Sequence, residues 1–183
     1  MRMTFLLALI TAMAVGQAPS LRIAFTAESP QFDVAASEYT DIWTREGERI
    51  VNAMQSVSGL TFDGNEVRAI VFEGTSESGY KARPMRLRAS YPPDTKKATL
   101  IHELGHRLES GVFSGLEDDH HQYLFLWLYD VWVKLYGRQF ADEQVAVEKA
   151  RGRMYPAAWE ATMALTAEQR ASKWRETVAA ARK

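Results

Sequence analysis

The sequence contains no cysteine. That absence removes a disulfide scaffold, an iron–sulfur cluster, a thiolate zinc site and a cysteine nucleophile, while leaving the compartment open. No apolar run reaches the roughly 18–20 residues that a membrane-spanning helix needs, so stable membrane insertion is not expected. An excess of one charge sign is missing too. The 22 Lys and Arg stand against 23 Asp and Glu, and nothing marks the chain as a nucleic-acid binder. There is no internal repeat, low-complexity tract or interdomain linker. What is present is 183 residues with 46% apolar and 25% charged side chains, the balance of one folded domain with a buried core. Its chemistry falls to His, Asp, Glu, Ser, Tyr, Lys or Arg.

The first sixteen residues, MRMTFLLALITAMAVG, carry one positive charge (Arg2), an apolar stretch from Phe5 to Val15 and then small side chains. That pattern predicts a secretory signal peptide over residues 1–16, cleaved before Gln17, and a single mature domain over 17–183. A secreted or periplasmic location follows. If the stretch is instead a buried first strand or helix, the protein is cytoplasmic.

Leu21–Thr26 reads as a strand. From Val34 to Val57, apolar residues recur at helical spacing (Tyr39, Ile42, Trp43, Ile50, Met54), and Ser58-Gly59 ends this helix. Glu66–Glu73 is a second strand, followed by the polar loop Gly74–Gly79. Met85–Tyr91 alternates: Met85, Leu87 and Ala89 share one face and Arg86, Arg88 and Ser90 the other. It is expected to be a half-exposed strand closed by Pro92-Pro93. A helix is expected over Thr95–Leu108. A second, with Ser114 and Glu117 as a capping box, runs from near Gly115 to Gly137 and is apolar almost all round. The rest is helical in composition, with Pro156 suited to a first helical turn and Thr166 with Gln169 to a capping box. The order is α+β: a small mixed or antiparallel sheet packed on one helix, with a helical C-terminal half.

The helix over Thr95–Leu108 contains His102-Glu103-Leu104-Gly105-His106, an HExxH motif expected by chance in roughly 0.005 copies for this composition. Residues four apart lie one above the other on a helix, so both imidazoles can face one metal ion. Glu103 is one step round, placed to take a proton from an attacking water and pass it to a leaving amine. Ile101, Leu104, Gly105 and Leu108 turn inward.

A catalytic zinc, one per chain, needs a third protein ligand and an open position. Glu109 lies too far along the helix axis to complete the set. The start of the following helix supplies better candidates, because a short connection brings it back beside the motif. His121 leads into the stripe Leu124, Phe125, Leu128 and Trp132 and is the first choice; His120 is the runner-up and Glu117 the third. Acids at a helix start account for Asp118 and Asp119. Tyr91, Tyr123 and Arg107 are weaker candidates for stabilising an oxyanion. The segment from Glu168 to Lys183, five basic and two acidic residues, reads as a solvated helix face.

From Met85 to His121 the sequence resembles the zincin metallopeptidases, in which an edge strand precedes the HExxH helix. The resemblance implies His102 and His106 as zinc ligands, Glu103 as catalytic base, and the Met85–Tyr91 strand as a place where a peptide could pair. Two subgroup patterns are absent. Glu109 and Val112 stand where metzincins carry Gly and a third ligand, and the Asn-Glu helix of thermolysin-like gluzincins does not follow. The likeness implies a zinc-dependent endopeptidase acting on a peptide or protein. The competing expectation is a catalytically silent zincin-fold protein that binds zinc or peptides. No sequence feature bears on oligomeric state.

Overall fold

The computed structural model describes residues 21–79, 82–113, 121–152 and 154–182. The expected signal peptide, the capping box at Ser114 and Glu117, and the candidate ligands His120 and Glu117 lie outside these residues. Strand β1 (Arg22–Ala27), helix α1 (Asp33–Ser58), strands β2 (Glu66–Phe72) and β3 (Met85–Arg88) come first, with a single 3-10 turn at Pro30–Phe32. Five helices follow: α2 (Pro93–Glu109), α3 (His121–Tyr136), α4 (Arg138–Lys149), α5 (Tyr155–Met163) and α6 (Ala167–Ala181).

The periodicities translate into buried faces. Tyr39, Ile42, Trp43, Ile50 and Met54 of α1 are all buried, and Gly59 caps that helix at φ +70°, a left-handed conformation only glycine adopts without strain. Pro93 opens α2 and Pro156 opens α5, where a missing N–H costs nothing. At the start of α6, Gln169 N–H donates to Thr166 Oγ1 and Thr166 N–H donates to Gln169 Oε1.

The sheet corrects the expectation of a mixed or antiparallel arrangement. Its order is β1-β2-β3 and both pairings are parallel, Arg22↔Glu66 through Ala27↔Val71 and Ala69↔Met85 through Phe72↔Arg88. Connection length explains why. α1 carries the chain back between β1 and β2, and residues 73–84 do the same between β2 and β3; a crossover of about a dozen residues permits parallel pairing, which a tight hairpin forbids. The strand expected over Met85–Tyr91 stops at Arg88. Met85 and Leu87 are fully buried and Arg86 and Arg88 half-buried, as the alternation predicted.

Helix α3 is the axis of the helical half and touches α1, α2, α4, α5 and α6. Leu124 to Tyr129, Val131 and Trp132 are buried in one unbroken wall. α6 is fastened across it by Arg170, whose Nε and Nη2 both reach the Asp130 carboxylate (2.9 and 2.6 Å), and by Trp174 Nε1 donating to the Ser58 carbonyl at 2.7 Å. α2 approaches α3 at Gly105. A Cβ there would stand 2.5 Å from Leu124 Cδ1 and 3.3 Å from the Trp127 ring.

That contact makes a stability prediction. Gly105→Leu should lower the unfolding free energy by about 1–3 kcal/mol, the usual cost of overpacking. Gly105→Ala should sit nearer wild type, because alanine gains roughly 0.8–1.0 kcal/mol of helix propensity over glycine while displacing a Leu124 methyl. Urea unfolding of the two variants checks this, and a Gly105→Leu protein as stable as wild type would refute the close approach.

Candidate metal centre

Three histidines meet where α2 and α3 come closest. His102 and His106 come from consecutive turns of α2 and His121 from the start of α3, and one ligating nitrogen of each lies within 4.8 Å of the others. His102 Nε2 is 3.2 Å from His106 Nε2, which is itself 3.2 Å from His121 Nε2. Nitrogens held about 2.0–2.1 Å from a tetrahedral ion stand about 3.3–3.4 Å apart, so this spacing fits a shared metal. Hydrogen bonding among the rings accounts for it poorly. His106 Nε2 has either one N–H or one lone pair, so it can hydrogen-bond well to only one of its two neighbours, and the second close nitrogen pair is left without a proton aimed between them.

The His102 ring is set by a residue that spacing did not reveal. Glu148, near the C-terminus of α4, places Oε1 2.6 Å from His102 Nδ1, and its Oε2 accepts from Trp159 Nε1 of α5 at 3.0 Å. Beside a carboxylate, Nδ1 is the nitrogen that keeps the proton, and Nε2 is turned toward the other two histidines. Burial disfavours a charged His102, but the charge and hydrogen bond of Glu148 outweigh it and raise the imidazole pKa. Glu148 is 1% exposed. Sequence reasoning missed it because it stands forty-six positions after His102 with the whole of α3 in between; the only cue is a glutamate on the apolar side of α4.

Glu103 is buried beside His102. Burial pushes its carboxyl up to about 7; His102 and Arg151 pull it down, while Glu148 and Glu77 push it further up. Such a group is near half-ionised at neutral pH, the condition in which a side chain both accepts and returns a proton efficiently. Tyr155, at the start of α5, adds a phenol that sequence reasoning did not single out: its ring centroid lies 4.4 Å from that of His121 and 6.1 Å from that of His102.

The weaker candidates have other surroundings. Arg107 donates to the carbonyls of Ser78 and Arg83 at 2.6 and 3.4 Å, holding the loop after β2. The ring of Tyr123 stacks on Phe113, and that of Tyr91 lies under the guanidinium groups of Arg88 and Arg151. β3 is an outer strand of the sheet, and its free side is partly taken up. Glu77 and Arg86 exchange both backbone hydrogen bonds in an antiparallel bridge, and Arg88 N–H donates to Ser76 Oγ. The protein's own chain therefore takes part of the edge on which a peptide was expected to pair. Gly79 (φ +60°) permits this return, since a Cβ there would stand 2.3 Å from the Pro84 carbonyl oxygen.

Glu109 is not one of the clustered ligating groups, in line with its position one turn beyond His106. Trp127 Nε1 donates to its Oε1 at 2.7 Å, and Oε2 is buried with no hydrogen-bond partner.

Two measurements follow from this geometry. Glu148→Gln should weaken binding of a divalent metal ion about 10–100-fold, the usual effect of losing a carboxylate behind a coordinating histidine, whereas His102→Ala should abolish it. Competition with a chromophoric chelator reads both, and unchanged affinity in Glu148→Gln would separate Glu148 from the site. The second concerns Glu109, whose carboxyl burial pushes up to about 8 against the opposing pull of Trp127 and His102. The folded protein then keeps a proton that the unfolded chain loses near pH 4.5. Stability is fullest below that pH and falls as pH rises toward 8. Glu109→Gln cannot ionise, so its stability relative to wild type should improve from pH 5 to pH 9; a difference that does not change with pH would refute this.

Compared with known proteins, the chain matches no family model, no curated protein and no solved structure, so the chemistry of this centre rests on its own residues.

Proposed function

We propose that this protein is a zinc-dependent peptidase, with His102, His106 and His121 as metal ligands and Glu103 as general base. The observation that carries the reading is the convergence of three imidazole nitrogens at tetrahedral spacing beside a buried carboxyl whose pKa lies near neutrality. Three protein nitrogens leave a fourth position for water or substrate, which distinguishes a catalytic zinc from a closed structural one.

When bound, zinc supplies Lewis-acid polarisation of the scissile carbonyl and acidifies the water that attacks it. The protein's own groups do the rest. Glu103 removes one proton from the water as its oxygen bonds to the carbonyl carbon. It then delivers that proton to the amide nitrogen as the C–N bond breaks; the second proton of the water passes from the new carboxylic acid to the freed amine, so the products are a carboxylate and an ammonium group. Glu148 holds His102 in the tautomer that offers Nε2. The burial of Glu103 keeps bulk water from the carboxyl and sustains its raised pKa.

One observation favours a second reading, a metal-binding protein without turnover: the Ser76–Glu77 segment lies on part of the β3 edge. Glu103 weighs against it, because a purely structural site needs no buried carboxyl beside its ligands.

The discriminating variant is Glu103→Gln. It should retain about one zinc per chain by metal analysis while peptide-library hydrolysis falls by about 10²–10⁴-fold, the usual worth of a general base. Equal hydrolysis by wild type and variant would remove Glu103 from the mechanism. Absence of hydrolysis in zinc-loaded wild type would leave the second reading.

A further inference from the structure

A cleft of about 470 Å³ starts at the His121 ring and runs between α3, α5 and α6. Its size suits a short peptide segment or a small ligand. Leu126, Ala158 and Ala161 give it a smooth apolar wall, and Met154 stands at its rim, 65% exposed. Lys173 of α6 is the one formally charged side chain among the described residues that line it. No carboxylate lies within ion-pairing distance of its ammonium among the described residues. Other cations of the fold are paired, Arg170 with Asp130, Lys149 with Glu160 and Lys96 with Glu38, while Lys173, like Lys134 of α3, is not, among the described residues.

We infer that this cleft is the binding site for a peptide segment with small apolar side chains and one carboxylate, which pairs with Lys173 while the chain passes His121. The inference rests on the proposed metallopeptidase reading for the direction of the peptide. Binding itself does not require turnover. Small residues on α5 leave room for side chains of the ligand, and the unpaired ammonium gives the cleft a charge that only an anion complements. The parts of the site then divide. The histidines and Glu103 act on the peptide bond, and the α5–α6 cleft decides which peptides arrive. It also supplies a binding surface independent of the β3 edge, which the chain itself partly occupies.

The carboxylate could belong to an acidic side chain or to the peptide's C-terminus, and one set of probes separates them. Fluorescein-labelled alanine hexapeptides, with a single Glu or a single Lys walked through each position, are prepared as free acids and as amides. Their binding to zinc-loaded Glu103→Gln is followed by anisotropy, alone and combined with Lys173→Glu, and the same peptides are offered to wild type for hydrolysis. The expected result is that Glu peptides or free acids bind about fivefold or more tightly than Lys peptides or amides, and that Lys173→Glu inverts this preference. An advantage confined to free acids identifies the C-terminus; one that follows the Glu position identifies a side chain. No charge preference, or one that Lys173→Glu leaves in place, overturns the inference even if wild type cleaves the peptides. A preference inverted by Lys173→Glu without any hydrolysis upholds the cleft and rejects the peptidase. Ala158→Trp, which fills the cleft while keeping Lys173, should weaken every peptide; undiminished binding would also overturn the inference.

Discussion

The site depends on how closely α2 can approach α3, and Gly105 fixes that distance. It sits between the two turns that carry His102 and His106, against Leu124, which lies one turn beyond His121 on the other helix. A side chain larger than alanine at 105 would meet Leu124 and the Trp127 ring and drive the helices apart at the level where the three imidazoles converge. Metal ligands tolerate a few tenths of an ångström of misplacement and little more. A residue without chemistry of its own thus controls whether the residues with chemistry can act together. The fully buried wall of α3 then holds the register, because its Leu, Phe and Trp side chains are packed from several sides and cannot slide without opening cavities.

Three acidic side chains near this helix pair show how environment assigns roles to one functional group. Glu148 accepts from His102 and from an indole, so both its oxygens are used in holding a ligand. Glu109 is equally deep but has one orphaned oxygen, and its burial outweighs the pull of Trp127 and His102 and pushes its carboxyl up to about 8. Glu103 lies between these cases, with histidine and arginine charges partly opposing its desolvation. The carboxyl poised near neutrality is the one beside the histidine cluster, as the proposed proton transfers would require.

Much of this was legible in the sequence because it is local. The four-residue spacing of His102 and His106 is a property of the helix itself, and the extent of α1, the cap at Gly59 and the Thr166–Gln169 box are all written within a few residues. His121 could be reached because the apolar stripe that follows it names the face of α3 turned toward α2. Glu148 and Tyr155 could not be reached. Their places depend on how α4 and α5 fold back over α3, and no periodicity encodes that. The sheet direction was misjudged for a related reason: alternation says which face of a strand is buried and nothing about whether its neighbour runs with or against it. The loop lengths held that information. The occupation of the β3 edge by Ser76 and Glu77 was equally hidden, since a polar Gly/Ser segment reads the same whether it is free or paired.

Trp159 has a consequence beyond packing. Its indole stacks on Phe125 with centroids 3.9 Å apart, lies near Trp132, and donates its N–H to the carboxylate that grips His102. A charge arriving among the histidines would draw on Glu148 and so alter the hydrogen bond and the electric field felt by this ring. Indole emission responds to both. The protein thus carries an intrinsic optical sensor one residue removed from a ligand, and the occupancy of the centre should be readable in the colour and intensity of its own fluorescence, with no label attached.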